Sequence, residues 1–302
     1  MLSAKGVESL QASPSLRAHA LLEFGLPAAP ERIEELVAPV RTASACRVHT
    51  PEGRFLLLCA ATPLALAFEA TLFDLLVEAR FPVPGPRRAR AGGLIAVLGL
   101  DGVPAAASCY AWPPGETLDP RAARIPQLLE IGRLLGRLHR LGEAHPASVP
   151  EPIPCSKLAA LLGQADAPLR DALLQFELAA LPAGASHGHL GPGQALYLGD
   201  RCSGILPSGT AHSGPLILDL ARAAEAWSFG SPQPIAAIRA VVSGYQGERR
   251  LLSEERESFA GALRCAAAQE GVRRLPAGRK ESLAPLHAVE ALDAAEIRAS
   301  TG

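Results

Sequence analysis

Apolar residues first recur at helical spacing over residues 16–26 (LRAHALLEFGL), where Leu21, Leu22 and Phe24 share a side and Gly25 supplies a stop. Short strand-like pieces follow at 32–36, 46–49 and 54–59; the last two flank TPEG, whose Pro and Gly suit a hairpin. Thr62 and Pro63 read as the N-cap and first residue of a helix that carries Leu66, Phe68, Leu72, Leu75, Leu76 and Ala79 up to the FPVPGP break. Two further strands are predicted at 93–98 and 105–112, joined by GLDGVP.

Beyond Trp112 the pattern changes. WPPGETLDP is a Pro and Gly connector, and Leu128, Ile131, Leu135 and Leu138 then line one face of a helix in which Gly132 and Gly136 would admit a close neighbour. Further helices are predicted at 167–181, capped by Asp166, at 235–245, at 254–268 after Ser253, and at 286–298 as a loosely attached tail. Between them, residues 188–205 hold two short strands around the turn LGDRCSG. The chain therefore divides into a strand-rich N-terminal part (1–112), a helical part with an embedded hairpin (113–275) and a tail (276–302). The expected class is α+β and bilobal: a small antiparallel-sheet lobe joined to a helical lobe.

Composition narrows the function classes. The 302 residues are 48% hydrophobic and 20% charged, which describes a globular chain with a sizeable core. The 29 Lys and Arg balance 30 Asp and Glu, so no concentrated basic face points to nucleic acid or an anionic membrane. Six scattered cysteines lack any CxxC pairing, which fits buried free thiols and a cytoplasmic setting better than zinc or disulfides. MLSAKGVESLQ lacks the apolar core of a signal peptide, and the apolar run 55–68 is too short to span a bilayer.

Seven segments, in order over roughly residues 20–275, carry a family resemblance: RVHTPEGRFLLL, LLVEARFPVP, YAWPPGETL, LLEIGRLLGRLHRLG, HGHLGPGQALY, GPLILDLARAAEAW and SGYQGERRLLSEERESFAGALRCAA. Together they resemble the aminoglycoside phosphotransferase and choline kinase superfamily, most closely its bacterial homoserine kinase branch. The resemblance implies a protein-kinase-like fold and ATP- and magnesium-dependent phosphorylation of a small alcohol. It also implies the places where such chemistry would sit.

Those places are where the chain departs. Phosphoryl transfer needs acids for magnesium, a cation or amides over the phosphates, and a carboxylate to orient the attacking hydroxyl. VAPVRTASACRV stands where the family has a glycine-rich nucleotide loop, with Ala38 and Pro39 and no Gly, and Leu58 stands where a phosphate-pairing Lys often does. His189 replaces the expected catalytic Asp, Gln194 the metal-ligating Asn, and Pro207 the principal magnesium Asp. Asp219 of LDLA is retained and reads as a structural or capping acid, and His187 as a structural residue of the degenerate catalytic loop. Tyr110 and Trp112 flank the cleft, where they could line a nucleotide-like pocket or pack between lobes.

Other polar residues have plainer readings. His139 is expected to pack or to interact with its helix C-terminus, and Glu69 and Asp74, with Leu58 opposite, to be solvated charges. SGTAHSG (208–214) could form an anion-binding nest, but a loop left free is the simpler reading. His187 and His189 could share a metal only with a third ligand such as His212 or Asp219, so no metal site is assigned. The expectation is a pseudokinase with no cofactor, binding a metabolite or a protein in the inter-lobe cleft. The alternative is an active kinase using ATP and magnesium, with homoserine or a similar amino alcohol as acceptor.

Overall fold

The computed structural model describes residues 13–36, 43–60, 63–100, 103–143, 145, 155–160, 162, 167–174, 181–274, 279–292 and 294–301. The expected caps Thr62 and Asp166, and the glycine-free segment with Ala38 and Pro39, lie outside them.

Helix α1 (Pro14–Glu23) is capped by Ser13, whose hydroxyl accepts from the Leu16 amide. Strands β1 (Arg32–Leu36), β2 (Ala43–Thr50) and β3 (Gly53–Ala60) follow, then α2 (Pro63–Glu78), β4 (Ala96–Leu100) and β5 (Val103–Ala111). The five strands form one antiparallel sheet in the order β1-β2-β3-β5-β4. The unbroken apolar run of β3 is explained by burial on both faces. Phe55, Leu57 and Cys59 join Leu21 of α1 and its C-cap Phe24 in one cluster, while Leu56 and Leu58 join Leu66 and Phe73 of α2 in another.

Strand β6 (Glu116–Thr117) begins the second part, followed by α3 (Ile125–Gly142), α4 (Cys155–Ala160), α5 (Ala167–Leu174), β7 (Ala183–Ser186), β8 (Ala195–Leu198), β9 (Arg201–Ile205) and β10 (His212–Pro215). Helices α6 (Leu216–Ser228), α7 (Pro234–Gln246), α8 (Ser253–Arg274), α9 (Arg279–Glu290) and α10 (Ala294–Ala299) complete it. The small strands pair as β6-β8-β9 and β10-β7, and they carry the segment with the degenerate motif. Helices α3 and α7 approach through glycine: a methyl group on Gly132 would overlap the Val241 carbonyl, and one on Gly244 would overlap the Leu129 carbonyl. The expected role of Gly132 is thus met by a partner glycine on α7.

Two expectations change. The tail is two helices rather than one, and it is not loose, because Leu286, Val289 and Ile297 are buried in the core of the helical part. Helix α9 also accommodates Pro285 in its interior. All six cysteines are buried and free of disulfides. No helix among the described residues is long and apolar enough to cross a membrane.

Candidate functional site

Between β7 and α6 the chain folds back on buried polar groups, and Asp219 organises them. From the first turn of α6, its fully buried carboxylate accepts from the His187 and Gly188 amides at 2.8 and 2.9 Å. His139 Nε2 lies 3.1 Å away, and Nδ1 of the same ring lies 2.7 Å from the Tyr245 hydroxyl. Burial alone would raise the Asp219 pKa. The hydrogen bond and charge of His139, with Arg222 and His187, outweigh it and hold the group below the usual carboxylate range. Asp219 thus pins the loop from beneath, and His139 is a buried bridge between α3, α6 and α7 rather than a simple packing residue. Gly188 has φ +84°, and a side chain there would collide with Thr210, so this turn needs glycine.

His187 faces inward. Its Nε2 donates to the Leu206 carbonyl at 3.0 Å, its Nδ1 accepts from the His189 amide at 3.4 Å, and its ring packs 6.1 Å from Phe73. His189 points the other way, into a cavity shared with Gln194. Burial lowers its pKa to about 4, so the imidazole is neutral at pH 7. The two histidines therefore do not converge on one point. Among the described residues no group of three or more His, Cys, Asp or Glu is placed to hold a metal ion.

The loop after β9 corrects two expectations together. Glu69, on α2, is fully buried, and its carboxylate accepts from the Ser208 amide at 3.0 Å and from the Gly209 amide at 3.0 Å to each oxygen. Burial pushes its pKa up to about 7, against the pull of the amides of residues 208 to 211. Successive amides turned onto one carboxylate are an anion nest. The protein's own Glu69 fills it. Glu69 is therefore not a solvated charge, and the loop is not free: Ser208, Thr210 and His212 are buried, with the Ser208 and Thr210 hydroxyls 2.5 Å apart and His212 Nδ1 2.8 Å from the Thr210 carbonyl. Asp74, by contrast, has a side chain 39% exposed beside Arg88.

Two cavities flank Gln194. The first, about 320 Å³, lies under the N-terminal sheet and is lined by Leu58, Trp112, Gln194, Leu206, Pro207 and Arg47, among others. Sequence reasoning did not single out Arg47. Its guanidinium lies 4.8 Å over the Trp112 ring and is held by Glu34, the residue opposite it on β1. Tyr110 does not reach this cavity: it is fully buried against Phe73, with ring centroids 5.8 Å apart.

The second cavity, about 240 Å³, opens on the other side of Gln194 and is walled by His189, Glu225, Phe229, Glu270, Arg273 and Arg274, with smaller neighbours. Glu270 accepts from Arg273 Nε and Nη2 at 2.6 and 2.5 Å and from Arg274 Nε at 2.6 Å. Arg274 also lies 4.6 Å over Phe229. None of the four charged residues was anticipated. The available signal was an acid, Glu225, in the alanine-rich helix segment LARAAEAW, and a charge cluster, QEGVRR, at the end of α8.

Comparison with known proteins decides the family. A model described as "Phosphotransferase enzyme family" matches residues 37–257. The chain belongs to that family. It is 31% identical over 247 residues to a homoserine kinase of Rhodopseudomonas palustris strain BisB18, covering 76% of this chain and 74% of that kinase. It is 30% identical to a homoserine kinase of Methylobacillus flagellatus, covering 66% and 65% of the two chains. Among solved structures, an amicoumacin kinase in complex with AMP-PNP, Ca2+ and Ami superposes with a TM-score of 0.75 at 13% identity, covering 99% of this chain and 96% of that one. A microcompartment-associated aminopropanol kinase has a TM-score of 0.63 at 14% identity, with coverages of 95% and 93%. These likenesses establish the kinase-like fold expected from the motifs.

A family of this kind implies magnesium and ATP, and the residues present do not fit magnesium. The ion demands near-octahedral oxygen ligands, usually with one or two carboxylates. Pro207 offers no side-chain ligand, Gln194 supplies one neutral oxygen, and the nearby Glu69 carboxylate is spent on backbone amides.

Proposed function

We propose that this member of the family is a pseudokinase whose cleft binds a small metabolite without transferring phosphate. The observation that carries the reading is the loop at Pro207–Thr210. Where a metal carboxylate would face the cleft there is a proline, and the amides that follow are turned onto Glu69. His189 supports it, since a neutral imidazole adds no negative charge to orient a hydroxyl or support a metal. Arg47 over Trp112 supports it further, because a guanidinium already covers a ring face on which a nucleotide base could stack.

The test is a thermal-shift titration with ATP, with and without magnesium, and separately with homoserine, the substrate that gives the named relatives their name. No magnesium-dependent shift is expected from ATP. A ligand at a hundred times its Kd adds about 2.7 kcal/mol, so binding would be visible. A magnesium-dependent shift, or phosphate transfer to homoserine, would establish an active kinase instead.

A further inference from the structure

Helix α4 begins on a cysteine that touches another cysteine 110 positions away. Cys155 Sγ lies 3.3 Å from Cys265 Sγ on α8, so the two thiols are in direct contact. A disulfide holds its sulfurs about 2.0 Å apart, and the pair has to close by only about 1.3 Å to reach that. One turn further along α8, Gln269 Nε2 donates to Cys155 Sγ at 3.2 Å, a contact that favours the thiolate over the thiol. The two cysteines differ in access. Cys155 is 5% exposed and is followed by the exposed Ser156 and Lys157, whereas Cys265 is 0% exposed. The other four cysteines have a different setting: Cys46, Cys59 and Cys109 share the apolar cluster of the N-terminal sheet, and Cys202 lies on β9. Burial pushes their thiols up, to about 11 for Cys46 and about 12 for the other three, which leaves little thiolate to react.

We propose that Cys155 and Cys265 form a reversible dithiol–disulfide site, closed by hydrogen peroxide and reopened by a small dithiol, that ties α4 to α8. Exposure sets the order of events. Cys155 Sγ attacks one peroxide oxygen and the O–O bond breaks; the other oxygen leaves as hydroxide and takes up the thiol proton as water, leaving a sulfenic acid on Cys155. Cys265 Sγ then attacks Cys155 Sγ, the S–S bond forms, and the S–O bond breaks as the hydroxyl leaves with the Cys265 proton as a second water. Two thiols lose two electrons, and one peroxide is reduced to two waters. Reopening is thiol–disulfide exchange, in which the added dithiol becomes the disulfide. A bond between residues 110 apart closes a long loop, and restricting the unfolded chain in this way raises stability while the bond is present.

This inference is independent of what the cleft binds. The full chain is treated with hydrogen peroxide at pH 8, alkylated in denaturant, digested and mapped by mass spectrometry without reduction. One cross-link is expected, joining the peptides of Cys155 and Cys265, with a higher Tm while it is present and loss of both on adding dithiothreitol. Cys265→Ala should stop at the sulfenic acid, trapped by dimedone on Cys155, and Cys155→Ala should leave Cys265 as a thiol. The map of the parent decides the matter by itself if either variant fails to fold. The proposal is overturned if both thiols are recovered alkylated after peroxide, or if Cys155 proceeds to the sulfinic acid without a cross-link. A cross-link to Cys46, Cys59, Cys109 or Cys202 in its place, or a Tm that falls when the 155–265 bond forms, would overturn it too. Dimedone on Cys265 in Cys155→Ala would overturn the assigned order of attack.

Discussion

Replacing Glu69 with alanine removes the carboxyl from its nest and leaves the Ser208 and Gly209 amides buried without an acceptor. At about 1–3 kcal/mol for each orphaned donor, the loss is about 2–6 kcal/mol, a large part of the 5–15 kcal/mol that holds an ordinary domain together. The size of the loss depends on pH. The folded pKa is raised to about 7 from the ordinary 4.5, so the stability tied to the protonated form is complete below about pH 4.5 and is lost as pH rises through 7. Ionising Glu69 in the fold therefore costs about 3 kcal/mol at alkaline pH, a cost that the alanine variant escapes. Urea denaturation at pH 5.5 and 8.5 is the assay, with Asp74→Ala as the exposed control, expected within about 0.5 kcal/mol of the parent. The Glu69→Ala deficit should be largest at pH 5.5 and narrow by pH 8.5. A deficit below 1 kcal/mol at pH 5.5 would refute the nest, and one that grows with pH would refute the raised pKa.

Asp219→Asn should cost about 3–5 kcal/mol in the same assay, because the amide cannot accept from His187 and Gly188 while compensating His139; an unchanged midpoint would contradict this. The Glu225 carboxyl is raised to about 8, by burial and then by Glu270, with Arg273 and Arg274 opposing. Its stabilising share is therefore present below about pH 4.5 and lost through pH 8, and Glu225→Gln should gain on the parent by a few kcal/mol at pH 9 and little at pH 5, read as Tm. Gly244→Ala should lower stability by more than about 2 kcal/mol, because its methyl meets the Leu129 carbonyl and α3 and α7 must separate; a Tm within a degree of the parent would refute the close contact. Finally, the triple change His189→Asp, Gln194→Asn and Pro207→Asp should introduce a magnesium-dependent thermal shift with ATP that the parent lacks. A triple variant as unresponsive as the parent would show that other parts of the cleft are also incompatible with the nucleotide.

Much of the architecture was legible in the chain because local rules and long-range packing agreed. The helix at 63–78, the β2-β3 hairpin around TPEG and the glycines of α3 follow from periodicity, turn residues and side-chain size. The ordered motifs, including HGHLGPGQALY and LDLA, were enough to indicate the family, and the departures from its Asp, Asn and Asp at 189, 194 and 207 are read without coordinates. The tail was misread because its apolar spacing is weak, and only the surface it meets on α8 shows that it belongs to the core.

What tertiary structure alone decided is the partnership of charges far apart in the chain. Glu69 read as solvated because its expected lysine is Leu58; its actual partners are amides 139 and 140 residues away, which no spacing rule can supply. Likewise His139 meets Asp219 across 80 positions, and Glu225 shares a cavity with Gln194 and the end of α8. A sequence states which groups carry charge and which local shapes are cheap. Which charge is compensated depends on desolvation and geometry set by packing, and in this protein that separates an acid used by the fold, Glu69, from one left facing a cavity, Glu225.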